Sequence, residues 1–497
     1  MPPRWTSLLL AIAFSQRIPP MPVDPMLDPE IWGFGGIGGS DPRSHPPLAE
    51  PIVPDHWLII PAESGSDPAT LLAKWMIAPD ADPPVGVESA DRIHVSSGCW
   101  LRRDSTDPGP AACAYTTVRA SRAVVRMARL TGAPWMLVNG EPVSGDSERR
   151  CFRGVPVALH EGENRIFVAA GGAPFELELW EPISRLVIEP FDIGWLGDNT
   201  VTYPILNAST ATAHFVHVHY GPAVRWMDSC KPCLTDWEDG GYIAPLSLMF
   251  GTSYYDGIIS EACGRNFGHL ARDAFIPICV YAEEGECSSR QLLRRQPDCG
   301  GRIFNNFETL SRPKGTWRNS LIELHPPGSV QIFGTQGTPA ETEAELAAAR
   351  FEQQLEWYRH AEAGVVISDV EYLAGVGRKE EDWINRHTDS RAVILRGNAD
   401  TNAAWSRFVP GGAGIEARRG SVTLGSSRFI GDGLAGWARF ALGPRIVFAQ
   451  FDTGLEGARL QQVLTAGWWG GDKRTAIFQR DETEPGAWCE VPLASER

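Results

Sequence analysis

Positive charge is scarce in this chain. Its 497 residues carry 45 Lys and Arg against 61 Asp and Glu, a formal net charge of -16. A surface of that sign repels phosphate backbones and anionic lipid, which excludes nucleic acid and acidic membranes as main partners. Long apolar runs are also missing. The stretch Leu8 to Ile12 is far shorter than the roughly 20 residues a membrane-spanning helix needs, so no transmembrane segment is expected. A nucleophile elbow of the form GxSxG is absent, since "GTSYYDG" around Ser253 lacks the second glycine at the required place. His269, His325, His360 and His387 downstream of it have no motif to pair with. There is no internal repeat.

What is present suffices for real cores: hydrophobic residues make up 43% of the chain and 18 Trp are spread along it. Such aromatics fill sandwich cores and also line sugar-binding faces. The opening "MPPRWTSLLLAIAFSQ" has two readings. One is a short secretory signal, with Arg4 as its charge and Ala11-Ile12-Ala13 as a small-x-small cleavage site. The other is a disordered terminus. Under the first the protein is secreted, periplasmic or at the cell surface, and its 10 Cys, clustered between Cys230 and Cys299, form disulfides. Under the second the protein is cytoplasmic, with mostly buried thiols.

Periodicity divides the chain. Residues 1–56 read as a signal-like start and a Pro/Gly-rich lead-in. Residues 57–182 carry short alternating runs cut by Asn-Gly and Glu-Gly-Glu-Asn turns, which predicts a jelly-roll-like β-sandwich. Residues 183–328 read as a second β-rich domain, with strands in "RLVIEPFDI", "TVTYPILNAS", "AHFVHVHYG" and "IPICVYAEE". From residue 329 to 497 strands alternate with helices, which predicts a parallel, three-layer α/β domain of Rossmann-like type. The fold class expected is therefore multidomain α+β. The long helix after Pro339 opens with a capping box, Thr338 and Glu341, and the same spacing recurs at Thr453 and Glu456.

Three strand-to-helix loops are candidate ligand positions: Thr335, Gln336 and Thr338; Asn398, Asp400, Thr401 and Asn402; and Asp452 with Thr453. At the carboxyl ends of parallel strands, free N–H groups and helix N-termini converge on ligands. None of the three fits a phosphate loop or a dinucleotide fingerprint. Caps and glycines are also what any such turn needs, so the polar residues either bind a small polar ligand or brace the loops. A second constellation joins His217 and His219 on one strand face to the CxxC pair Cys230 and Cys233, a structural zinc set by residue type. It stands against a solvent-facing His pair beside a disulfide or two thiols. Asp236, Glu238 and Asp239 in "LTDWEDGG" read as a glycosidase acid/base pair, a calcium site or a solvated turn.

The segments "VQIFGTQGTPAETEAELAAARFEQQLEWYRHAEAGVVISDVEY", "AVILRGNADTNAAW" and "GSVTLGSSRFIGDGLAGWARF" occur in that order between about Ser329 and Leu464. They resemble the C-terminal region of large exported bacterial α/β-hydrolase-like proteins of the prolyl-oligopeptidase/esterase type. "WMLVNGEPVSGD" and "VALHEGENRIFV" look like the galactose-binding-like or jelly-roll modules found on such enzymes and on glycosidases. The chain departs from that family where the hydrolase core would lie, so the family's catalytic residues have no positions to carry over to. The resemblance implies shared flanking architecture without the catalytic unit. Three functions are expected in order: an exported binding or scaffold protein directed at carbohydrate or a cell-surface polymer; an esterase, peptidase or glycosidase with an unrecognised site; and a structural zinc protein.

Overall fold

The computed structural model describes residues 51–54, 56–61, 68–82, 84, 94–95, 101–102, 112–146, 154–170, 175–182, 185–188, 194–196, 200–220, 232–233, 241–255, 275–281, 287–294, 329–360, 364–374, 391–442, 445–467, 475–480 and 488–490. These all belong to one compact unit, Leu48–Arg497. The architecture is mixed and strand-rich, with several sheets and, among the described residues, five helices: α1 Pro68–Ile77, α2 Pro339–His360, α3 Asp369–Ala374, α4 Trp405–Phe408 and α5 Leu455–Gly467. Among the described residues no helix is long and apolar enough to cross a membrane.

The C-terminal sheet has seven strands: β1 Val330–Phe333, β2 Val365–Ser368, β3 Arg391–Gly397, β4 Ala435–Leu442, β5 Arg445–Asp452, β6 Thr475–Arg480 and β7 Trp488–Glu490, in the order β2-β1-β3-β5-β4-β6-β7. The β2-β1-β3-β5 half is parallel. The other half is antiparallel, a departure from the all-parallel expectation. The cause is local: Leu442 pairs with Arg445, so β4 and β5 are joined by a two-residue Gly-Pro connection, which only an antiparallel hairpin permits.

Both faces of this sheet are covered. Val330, Ile332, Val393, Leu395, Val447, Ala449 and Phe451 form a core with Tyr372 of α3, Trp405 and Phe408 of α4, and the three-stranded meander Ile415–Arg418, Ser421–Leu424, Ser427–Ile430. The alternate residues Ile394 and Phe448 face Phe351 of α2 and Leu460, Val463 and Leu464 of α5. Alternation along each strand sends every second residue to the opposite face, so a sheet buried on both sides reads as a continuous apolar run.

That helical layer has a second sheet on its far side. Leu58–Pro61, Ala112–Ala120, Gly162–Val168, Trp135–Val138 and Glu141–Ser144 form a five-stranded antiparallel sheet. One of its faces, with Cys113, Tyr115, Trp135, Leu137 and Phe167, shares a core with α1, α2 and α5. Trp75 of α1 stacks on Phe167 at 4.5 Å between ring centroids. The sheet's other face closes over Glu176–Trp180, Val124–Thr131 and Val155–Leu159. The layers thus run sheet, sheet, helices, sheet, then helices with the meander. Between the two halves of the chain, Leu186–Ile188, Gly194–Leu196, Thr200–Asn207, Leu248–Tyr255 and Pro232–Cys233 form one sheet, and Gly241–Ile243, Ala213–Tyr220, Phe275–Tyr281 and Cys287–Arg294 another.

Helix α2 is buried along most of its described length after the first turns, which explains its buried polar residues. Gln353 copies a strand's peptide group: its Oε1 accepts from Leu248 N at 3.0 Å and its Nε2 donates to Leu248 O at 2.7 Å. Gln354 Oε1 accepts from Ser144 N at 3.0 Å, and Arg350 meets Glu141 at 2.6 Å. Trp357, fully buried, enters the core between the two N-terminal sheets. Replacing Gln354 by Met keeps its length and removes the acceptor, so Ser144 N–H is left buried and unmet. The expected loss is about 1–2 kcal/mol in urea unfolding, within the range for an unpaired buried donor; an unchanged midpoint would show that the two layers are not joined at this point.

Candidate functional site

From β1 the chain leaves through α2 to β2 on one side, and it returns to β3 on the other side of β1. Such a reversal opens a crevice at the carboxyl ends of the two strands, where open α/β sheets take their ligands. The loops after β1, β3 and β5, named from sequence, meet at this point. In this protein the crevice is filled by its own groups. Gln336 N donates to Thr401 O at 2.8 Å. A Cβ on Gly334 would lie 2.5 Å from Thr401 O, and one on Gly397, whose φ is +99°, would lie 2.6 Å from Thr401 Oγ1. Gly334 is needed because the β3 loop lies directly on the β1 loop, and Gly397 because its backbone is left-handed and Thr401 of the same loop and Glu345 of α2 lie against it.

The polar side chains are engaged with one another. Asn402, 1% exposed, donates to Ile332 O at 3.1 Å and Arg396 O at 2.7 Å and accepts from Ala404 N at 2.9 Å. It caps the turn into α4, whose own N-cap residue, Ala404, has no side-chain cap. Neither Asp400 nor Thr401 takes that role. Thr401 Oγ1 accepts from Asn398 N at 2.9 Å, and Asn398 Oδ1 accepts from Asp400 N at 2.9 Å. Asp400 itself is exposed, paired with Arg418 at 3.0 Å. Thr335 Oγ1 donates to Asp369 Oδ1 at 2.6 Å, and Asp369 Oδ2 accepts from Ala403 N at 2.6 Å. Gln336 is exposed and donates to Thr335. The Thr338–Glu341 capping box forms, with Thr338 N to Glu341 Oε2 at 2.6 Å and Glu341 N to Thr338 Oγ1 at 3.2 Å. Thr453 Oγ1 instead donates to Gly431 O at 2.6 Å and accepts from Leu434 N at 3.0 Å.

Two acidic groups lie under the loops. Asp452, at the end of β5 and 1% exposed, accepts from Asn398 Nδ2 at 3.4 Å and Gly454 N at 3.2 Å. Glu345, from α2 and 3% exposed, accepts from Gly334 N at 2.7 Å and Thr401 Oγ1 at 3.4 Å. Burial pushes Asp452 from its ordinary 3.8 up to about 7, against the hydrogen bonds from Gly454 and Asn398. Burial also pushes Glu345 well above the ordinary carboxylate range, and the charge of Asp452 adds to the effect. Glu345 is invisible to motif reading, because it lies within a helix, past the capping turn. Its signal is the row Glu341, Glu345, Glu352 at helical spacing on a helix that is otherwise Ala-rich.

A second polar layer lies deeper on the same face. Arg396 of β3 forms an ion pair with Glu352 of α2, flanked by Gln331 of β1 and Gln450 of β5. All four are at most 6% exposed.

The other sequence candidates are not assembled into a site. His217 and His219 lie on the strand Ala213–Tyr220, whereas Cys233 pairs with Tyr254 in a different sheet. Cys230, Asp236, Glu238 and Asp239 lie outside the described residues, as does the signal-like N-terminus. Among the described residues no group of three or more His, Cys, Asp or Glu could hold a metal ion. His214 meets Glu371 of α3 at 3.5 Å. Two stretches fit GxGxxG by letter. Gly33 to Gly38 lies outside the described residues, and Gly431 to Gly436 runs into strand β4, not the helix that a dinucleotide site requires. No protein-family model and no curated relative matches the chain.

Proposed function

We propose that the chain is an exported, non-catalytic binding or scaffold protein directed at carbohydrate or a cell-surface polymer. In this reading the N-terminal sheets are a jelly-roll-like, galactose-binding-like module, and a Rossmann-like C-terminal layer serves as its braced support. The observation that carries the reading is the filled crevice: where an α/β sheet keeps its reactive groups, Asn398, Thr401, Asn402 and Asp369 hold the loops to one another. The absence of a GxSxG elbow agrees with it.

A second reading, a glycosidase-type hydrolase, draws on Glu345 and Asp452 as a carboxyl pair with raised pKa values. Their exposures of 3% and 1% weigh against it, because substrate has no reach to either group in the closed structure. The purified chain on glycan and cell-wall polymer arrays, beside a panel of ester, peptide and glycoside substrates, decides between the two. Retention on a polymer without turnover is expected. Turnover that disappears in Asp452→Asn would replace the first reading by the second.

A further inference from the structure

The crevice is closed by groups that titrate. We propose that Glu345 and Asp452 form a proton-held latch: with a proton on the pair, the β1 and β3 loops lie shut over the crevice, and losing that proton releases them. The inference is independent of what the N-terminal sheets bind.

Placement supplies the first argument. Glu345 accepts one hydrogen bond from each of the two loops, Gly334 N and Thr401 Oγ1. Asp452 holds Asn398 of the β3 loop to Gly454 of the β5 loop through Oδ1 alone. Its Oδ2 is buried and has no hydrogen-bond partner among the described residues. A carboxylate that exposes neither oxygen to water and satisfies only one of them is poorly solvated as an anion.

The surrounding charges supply the second. From α2 come Glu341 and Glu345, from α3 Asp369, and from β5 Asp452. Asp432 lies against Gly454 in the loop before β4, and Glu456 of α5 reaches toward Gly433 in that loop. Asp400 is on the outside with Arg418. Against these anions stands Arg419, which pairs with Glu341 at 2.8 Å and whose field also reaches Asp452. Arg396, deeper in the sheet, is taken by Glu352. One guanidinium at the edge does not neutralise two buried carboxylates, so the closed state carries at least one proton.

The sign follows from where the proton sits. Once the loops open, both carboxyls face water and titrate near their ordinary values, 3.8 for Asp and 4.5 for Glu. Below those values both states are protonated and pH has no effect. Between them and about 7 the closed state binds more protons, so raising the pH favours opening. Each proton released makes the opening equilibrium about tenfold larger per pH unit. For Asp452 the rise levels off above about 7, where the closed state has also ionised.

Hydrogen exchange by mass spectrometry on the full chain from pH 5 to 9, corrected for intrinsic base catalysis, tests this. Peptides spanning 334–338 and 398–404 should open about tenfold more per unit for each proton the pair releases, with the Asp452 share levelling off above about pH 7, while β5 peptides from 447 to 451 should not. Asp452→Asn should reduce the slope by one proton, and Glu345→Gln should do the same, so either variant suffices if the other does not fold. Opening that ignores pH in the unaltered chain would overturn the latch, and so would a slope that both variants retain. Stabilisation of the unaltered chain by millimolar Ca2+ or Mg2+ at pH 8 that Asp452→Asn abolishes would also overturn it, since the pair would then hold a cation in place of the proton.

Discussion

Arg396→Met is expected to be among the most damaging substitutions in the chain, at about 3–5 kcal/mol in urea or thermal unfolding. Arg396 is 2% exposed and Glu352 is 6% exposed. The pair lies between the sheet and α2, with Gln331 Oε1 accepting from Arg396 Nη2 at 3.2 Å and Gln450 Nε2 donating to Glu352 at 3.1 Å. Neither charge has access to water. Removing the guanidinium takes the cation away from a carboxylate in a low-dielectric layer, and breaking such a pair costs far more than forming it gained. The double variant Arg396→Met with Glu352→Met removes both charges at similar volume and should recover at least about 2 kcal/mol of the loss. A double variant as unstable as the sum of the singles would show that the two side chains do not act as a pair.

The same ion pair marks the limit of what the sequence discloses. The apolar run Val393-Ile394-Leu395 announces a strand buried on both faces, and Arg396 at its end reads as the strand's exit into solvent. It is inside because α2 brings Glu352 over it, a contact between residues 44 apart in sequence that no local pattern encodes. The capping box at Thr338 and Glu341 was legible because it is a local event within one turn. At Thr453 the same spacing gave no box, since tertiary partners Gly431 and Leu434 took the hydroxyl. Strand β4 is hard to read in the sequence for a related reason. Its alternation is masked by small residues, Ala435, Gly436 and Ala438, and at Gly436 the size is imposed by β6: a Cβ there would lie 2.2 Å from Ala476 O. At the switch point the residue types were legible, whereas their roles were not. Asn398, Thr401 and Asn402 could be read as polar groups in a loop, but only the fold puts Glu345 and Asp452 beneath them.

Gly334→Ala tests whether the crevice is closed in solution. The added methyl would sit 2.5 Å from Thr401 O and 2.8 Å from Thr401 C, both backbone atoms, and 2.9 Å from Glu345 Oε2. A flexible side chain could turn away from such a contact, but a peptide group braced by Gln336 N and by Asn398 O cannot move alone. The loop from Asn398 to Ala404 must shift as a unit, which strains the bonds of Asn402 to Ile332 O and Arg396 O. The expected loss is near 3 kcal/mol, at the top of the usual range for overpacking a filled site. Gly411→Ala and Gly412→Ala are the matched controls. A Cβ at either position meets nothing within 4 Å, so these substitutions should be neutral or slightly stabilising, through the lower entropy of the unfolded chain. Since Gly334 lies at the end of β1 and Gly411 in the turn after α4, global unfolding in urea reads all three on one scale. If Gly334→Ala unfolds at the same midpoint as Gly411→Ala, the two loops do not touch in solution, the crevice at the switch point is open, and the C-terminal layer is not a braced support.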